Sequence, residues 1–276
     1  MQPRWSNARS GPKMILMGAL VLLTLLATGV HAGDWQLVWS DEFNYQGLPD
    51  PAKWGYETGF LRNHESQYYT RGRLENARVE NGCLVIECRK EHFAPTNHAP
   101  VEYTAASLIT LTRESWQYGR IEVRAKLPRG KGVWPAIWTL GTNITTVGWP
   151  RCGEIDIMEF IGKDPNGIHG TIHYSVDGRH QSNGGRLETN QPYDGFHVYA
   201  VVWTPERIDF YFDGKKYHSS PTDPAGQGAA NPFRAPHYLI LNFALGGDWG
   251  GPFDDAILPQ QFLIDYVRVY QSGKTR

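Results

Sequence analysis

An all-β sandwich is the fold class this sequence predicts, and three observations carry the prediction. Short runs rich in β-branched and aromatic residues recur along the chain, at 35–39, 84–89, 105–111, 120–126, 136–140, 154–161, 170–173, 197–203, 207–212, 238–244 and 262–270. Turn residues punctuate them: Asn81-Gly82, Pro128-Arg-Gly-Lys-Gly132, Asp177-Gly178, Asn183-Gly-Gly185 and Asp213-Gly214. Helical periodicity is scarce beyond the first 32 residues. Many short strands with regular turns imply a sandwich or barrel. No internal repeat, low-complexity tract or linker interrupts 33–276, so one domain is expected there.

Residues 1–32 read as an export signal. Arg4, Arg9 and Lys13 precede an uncharged run over 14–30, and Val30-His31-Ala32 offers a small-x-small site with cleavage before Gly33. The apolar run approaches a membrane span in length, so an uncleaved anchor is the alternative. Ala32 and the abrupt change to polar sequence favour cleavage. The expectation is a protein that is secreted or periplasmic after signal-peptide cleavage near Ala32, with no stable membrane anchor, and a monomer.

Composition narrows the partners. Lys and Arg number 27 against 28 Asp and Glu, a net charge of −1, which gives no footprint for nucleic acid or an acidic membrane. Ten Trp and 14 Tyr in such a chain suit a neutral, polar, flat-faced ligand, and sugars are such ligands. The three cysteines form no framework: Cys83 and Cys88 fall on opposite faces of one strand, and Cys152 has no His or Asn spacing that would make it a nucleophile. All three read as small buried side chains. The ten His show no tight metal-ligand spacing. Asp213-Gly214, between 208–212 and 215–218, predicts a two-residue hairpin.

The chemistry concentrates in Trp149-Pro-Arg-Cys-Gly-Glu-Ile-Asp-Ile-Met-Glu-Phe-Ile-Gly162. In a strand, Glu154 and Asp156 share one face, with Ile155 and Ile157 on the other. Glu159 is out of phase. A β-bulge near Met158 would return it to the acidic face and take Met158 off the ladder. Three close acids without Lys or Arg among them cannot all ionise freely. One ionised and one protonated carboxyl is what hydrolysis of a sugar bond requires. The plain alternative is a solvated acidic strand face. Gly170-Thr-Ile-His-Tyr174 follows, and its strand should bring His173 across from the acids, beside Glu159.

Glu154-Ile-Asp-Ile-Met-Glu159 resembles the Glu-x-Asp-x-x-Glu signature of glycoside hydrolase family 16, in its longer, bulged, laminarinase-like form. Trp39-Ser-Asp-Glu-Phe43 looks like the family's opening strand and Asp265-Tyr-Val-Arg-Val-Tyr270 like its closing one. The resemblance spans about 39–270. It implies a jelly-roll β-sandwich of the concanavalin-like kind with a concave substrate cleft, and a retaining endo-β-1,3-glucanase needing no cofactor for catalysis. Glu154 would be the nucleophile, Glu159 the acid/base and Asp156 the assistant between them. Mixed-linkage β-1,3/1,4-glucan, another family polysaccharide, or transglycosylation are the alternatives. A non-catalytic β-glucan-binding module fits poorly, because all three acids are present.

The same resemblance assigns further residues. Asn63, in Asn63-His-Glu-Ser-Gln-Tyr-Tyr69, would bond a sugar hydroxyl away from the cleaved bond, with Glu65 and Gln67 on the same wall. Trp134 and Trp138, four apart in extended chain, share a face and suit a platform for pyranose rings with the indole N–H left free. Trp134 is expected to line the cleft, and Trp138 is left between cleft and core. Trp149 resembles the tryptophan beside the cleavage subsite. Trp249, in Gly246-Gly-Asp-Trp-Gly-Gly251, would cap a sugar at the cleft end. A structural calcium is implied at Glu42, the Gly82 carbonyl and Asp265. His64 receives no role.

Overall fold

A computed structural model describes residues 35–273. The predicted signal segment at 1–32 lies outside the described residues. The described residues fold into two stacked sheets, antiparallel except where Tyr68–Tyr69 runs parallel to Val101–Ala105, the jelly-roll sandwich. One sheet has ten strands, running Lys215–Pro221, Arg207–Phe212, His197–Trp203, Gly119–Lys126, Gln260–Ser272, Cys83–Phe93, Val101–Ala105 and Tyr68–Tyr69. Trp35–Asp41 adds to Gln260–Ser272, and Ala77–Glu80 to Cys83–Phe93. The other sheet has seven, in the order Arg179–Glu188, Gly167–Val176, Glu154–Glu159, Val133–Gly141, His237–Leu245, Ser107–Ile109 and Gly55–Glu57.

Period-two patterning decides which faces meet. Gly119–Lys126 alternates strictly, turning Ile121, Val123 and Ala125 inward. From the seven-stranded sheet, Ile155, Ile157, Ile172 and Phe243 reach the same core, where Tyr199, Trp203, Phe210 and Phe262 meet them. Each fully buried aliphatic or aromatic side chain contributes about 1.5–3 kcal/mol. Ile155 and Ile157 thus anchor a strand whose other face is acidic. Val133–Gly141 and His237–Leu245 are buried along their whole length, because the core covers one face and the cleft walls the other.

The two-residue hairpins are as expected. Asp213-Gly214 and Asp177-Gly178 both hold positive φ, at 46° and 75°, and 52° and 75°, the left-handed pair a tight primed turn requires. Three expectations are corrected. Asn183-Gly-Gly185 is no turn: it lies within the strand Arg179–Glu188. There the glycines allow close approach, since a Cβ on Gly184 would press on Thr171 and one on Gly185 on the His218 ring. The run at 105–111 breaks at Ala106 into strands of different sheets. The run from Glu154 ends at Glu159 rather than 161. Among the cysteines, all three are free, Cys88 and Cys152 are buried and Cys83 is half-buried.

Candidate active site

The strand Glu154–Glu159 lies third from the edge of the seven-stranded sheet. Against Gly167–Val176 it pairs Glu154 with His173, Asp156 with Thr171 and then Glu159 with His169, so three steps on one strand meet two on the other. That is the predicted bulge. Its detail differs from expectation: towards Val133–Gly141, Met158 stays paired with Ile137, and Ile157 is the residue skipped. Both side chains point into the core, fully buried. The bulge therefore feeds two consecutive apolar residues to the core and returns Glu159 to the face of Glu154 and Asp156.

All three acids line one cleft of about 580 Å3. Trp149 Nε1–H donates to Glu154 Oε2 at 2.8 Å, and Trp134 Nε1–H to Glu159 Oε1 at 3.1 Å. Asp156 is 3% exposed. His173 Nε2 lies 3.1 Å from Asp156 Oδ2 and 4.0 Å from Glu154 Oε1. The first contact is close but not aligned as a hydrogen bond, which leaves Asp156 Oδ2 buried without a hydrogen-bonding partner. Burial pushes the Glu154 carboxyl above its ordinary range, and the Asp156 charge adds to this, while His173 and the Trp149 N–H pull the other way. Burial likewise raises Asp156. Glu159 rises well above the usual carboxylate range through burial and then through Asp156 and Glu154, against the Trp134 N–H and His173. A trio with raised affinity for protons and no Lys or Arg in ion-pair contact, among the described residues, resists full ionisation.

Glycine makes room behind this strand. A Cβ on Gly170 would collide with the Tyr217 hydroxyl and the Phe210 ring of the other sheet. Only glycine lets the sheets approach beside the strand that carries the acids.

The remaining predicted cleft residues, Asn63, Trp134, Trp138, Trp149, His173 and Trp249, all line the same cleft. Trp249 meets the Trp134 ring edge-on at 5.5 Å and the His169 ring at 5.0 Å. Trp149 is 50% exposed at the rim, 4.7 Å from the His180 ring. Two points are corrected. The indole N–H groups of Trp134 and Trp138 are not free: the first is held by Glu159, the second donates to Asn242 Oδ1 at 2.7 Å. His173 faces Asp156 rather than Glu159, because the register opposes it to Glu154, before the bulge. His64 is exposed and pairs with Asp248 at 3.0 Å.

Sequence reasoning put Glu65 on the wall beside Asn63, where it lies, but missed Arg62, Asn242 and His180. Arg62 lies over the Trp138 ring at 4.9 Å and pairs with Glu57. Glu65, 7% exposed, accepts from Gln67 Nε2 at 2.8 Å, Tyr69 Oη at 2.9 Å and Asn63 Nδ2 at 3.3 Å. Tyr69 Oη in turn accepts from Asn242 Nδ2 at 2.8 Å, which closes a chain of hydrogen bonds back to Trp138. His180, from the polar edge strand, hydrogen-bonds His173 across 2.8 Å between Nε2 and Nδ1. The segment at 62–69 carried the signal for the first group. Nothing in the sequence marked His180.

Glu42, Gly82 and Asp265 belong to segments that meet the strand Gln260–Ser272 of the ten-stranded sheet, where Ser40 opposes Arg268 and Ile264 opposes Leu84. Two carboxylates and a carbonyl are suitable oxygen donors for calcium. Each carboxylate nevertheless has a cationic partner. Arg268 holds Glu42 through both oxygens, at 2.9 and 2.7 Å, and Arg124 holds Asp265 at 2.6 Å.

Comparison with known proteins agrees with this geometry. The sequence profile of Glycosyl hydrolases family 16 matches residues 64–268. A beta-glucanase of Rhodothermus marinus is 44% identical over 278 residues, covering 94% of this chain and 96% of the relative. A glucan endo-1,3-beta-glucosidase of Cryptopygus antarcticus is 36% identical over 269 residues, covering 91% and 98%. The X-ray structure of the laminarinase from Rhodothermus marinus superposes with a TM-score of 0.80 at 44% identity, covering 88% of this chain and all of that one.

Proposed function

This chain belongs to glycosyl hydrolases family 16, and on that premise we propose that it is an endo-β-1,3-glucanase that cleaves β-glucan by double displacement in the cleft above Glu154, Asp156 and Glu159. The observation that carries the reading is the bulge, which brings a third carboxyl onto the face of the first two. The substrate class follows the beta-glucanase and endo-1,3-beta-glucosidase relatives.

Glu154 is the nucleophile. Trp149 occupies its Oε2, leaving Oε1 to attack the anomeric carbon. Glu159 is the acid: Trp134 holds Oε1, and Oε2 carries the proton to the leaving oxygen. The C–O bond breaks as the glycosyl–Glu154 ester forms. Ionised Glu159 then takes a proton from water, whose oxygen attacks the same carbon, and Glu154 leaves as a carboxylate. Asp156, more deeply buried than either glutamate, strengthens the hold of Glu159 on its proton through its charge, while the Trp149 N–H and His173 favour the ionised form of Glu154. The tryptophans supply faces for pyranose rings, and Asn63, fixed by Glu65, offers its amide to a hydroxyl.

The experiment is laminarin hydrolysis by the wild type and Glu154→Ala, with and without azide. Loss of hydrolysis in the variant, with azide restoring turnover as a glycosyl azide of inverted configuration, supports the assignment. Full activity in the variant sinks it. Two further elements belong to the same reading. Export with cleavage after Ala32 would give a mature protein beginning at Gly33, which mass spectrometry of the cell-free fraction checks. Calcium at Glu42, Gly82 and Asp265 would compete with Arg268 and Arg124, and a melting temperature unmoved by chelator would remove it.

A further inference from the structure

Three ligand atoms converge on the cleft floor where no cation is needed for hydrolysis. One atom each from Glu154, Asp156 and His173 lies within 4.8 Å of the others. In a tetrahedral zinc site with bonds of about 2.0–2.2 Å, ligand atoms stand roughly 3.3–3.5 Å apart. His173 Nε2 is 3.1 Å from Asp156 Oδ2 and 4.0 Å from Glu154 Oε1, two separations that bracket this spacing, and the two carboxylate atoms lie within 4.8 Å of each other. A second observation is independent of the clustering. Asp156 Oδ2 is buried, has no hydrogen-bonding partner, and is aimed at this space.

The neighbour of His173 completes the argument. A metal-bound imidazole almost always donates its other N–H to an acceptor, which fixes the tautomer. Here His173 Nδ1 lies 2.8 Å from His180 Nε2, with the two rings stacked at 22°. With Nδ1–H donated to His180, the Nε2 lone pair of His173 faces the two carboxylates. A ligand set of one imidazole and two carboxylates, open on the cleft side, suits a borderline transition dication such as Zn2+, Co2+ or Cu2+ rather than Ca2+ or Mg2+.

We propose that Glu154, Asp156 and His173, with His180 behind them, form an inhibitory transition-metal site. The dication occupies the space of the scissile sugar and ties up the carboxylate that would attack it. Binding and substrate are therefore mutually exclusive. This goes beyond the hydrolase reading and is measured apart from it, because metal affinity is read without substrate.

The test is calorimetric titration of chelator-treated, full-length protein with Zn2+, and the visible spectrum with Co2+. One Zn2+ should bind, Co2+ should give the intense bands of a tetrahedral site, and laminarin hydrolysis should show competitive inhibition reversed by EDTA. His173→Ala should abolish this binding. His180→Ala should weaken it about 10–100-fold, the usual loss when the group behind a ligand is removed. Melting curves of both variants, matched to wild type, establish that they are folded. Zn2+ bound with wild-type affinity by His173→Ala, or a Co2+ spectrum of a purely six-coordinate ion, overturns the proposal, since exposed His64, His92 or His98 would then be the binding groups.

Discussion

The acids of the cleft and those of the opposite sheet are the same residue types in opposite electrical circumstances. On the ten-stranded sheet, Asp209 is buried, which pushes its carboxyl up. Hydrogen bonds from Ser219 at 2.6 Å and Arg207 at 3.1 Å outweigh that and hold it below its ordinary range. Glu42, clasped by Arg268, is lowered as well. In the cleft, among the described residues, no Lys or Arg pairs with Glu154, Asp156 or Glu159, His173 gives only partial help, and all three are raised. The chain holds almost equal numbers of cationic and acidic residues. It places the guanidinium groups on the back acids and withholds them from the reactive ones. Charge balance is therefore local, and the site is where balance is denied.

Breaking the comparison at its strongest point should give the largest effect. Glu159→Gln should lower laminarin hydrolysis by about 10²–10⁴-fold, the range for a lost general acid. It should also raise the melting temperature near neutral pH. The sign follows from linkage: an acid with a raised folded pKa stabilises below its unfolded pKa of about 4.3, and that contribution is lost as pH climbs towards the folded value. Gln carries no such penalty. Melts of both proteins at pH 4 and 7 check this, and an unchanged neutral-pH melting temperature would mean the trio is not strained.

Asp156→Asn sharpens the same point. It removes a charge that raises both glutamates, so both limbs of the pH–rate profile should move to lower pH while kcat falls. A profile that keeps its position would show that the glutamates do not feel Asp156. On the back sheet, Asp209→Asn should cost about 1–3 kcal/mol of stability with kcat/KM unchanged. Its stabilising effect is present above the unfolded pKa and disappears as pH falls through the lowered folded value, the reverse of the cleft acids. Denaturant melts at pH 7 and 3 measure it. Smallest of all, Glu42→Gln breaks a part-exposed pair and should cost about 0–1 kcal/mol in a melt without added calcium.

Much of this was legible in the sequence where one strand explains itself. The acids, the bulge and the buried isoleucines lie within six residues, so period-two counting found them. Trp134 and Trp138 were found the same way. What failed was long-range or polar. Arg179–Glu188 has almost no apolar residues to alternate, because it is an exposed edge strand, and so His180 was invisible. The hydrogen bonds that claim the Trp138 ring nitrogen and Glu42 reach 104 and 226 residues along the chain. No local pattern encodes a partner at that separation. His173 was placed on the correct strand but against the wrong acid, since its register depends on where the bulge begins.

The pairing of Trp35 with Ser272 has a topological consequence. The described chain leaves its fold almost where it entered, on the ten-stranded sheet, with the cleft on the other. Adjacent antiparallel positions lie about 5 Å apart, so a linker of a few residues would join the two ends without strain. The covalent break in the backbone is then a matter of convenience rather than architecture. A circular permutant reopened at the exposed Asp213-Gly214 turn should keep the same sheets and the same cleft. For tethering, both ends offer one attachment point that leaves the polysaccharide groove facing outward.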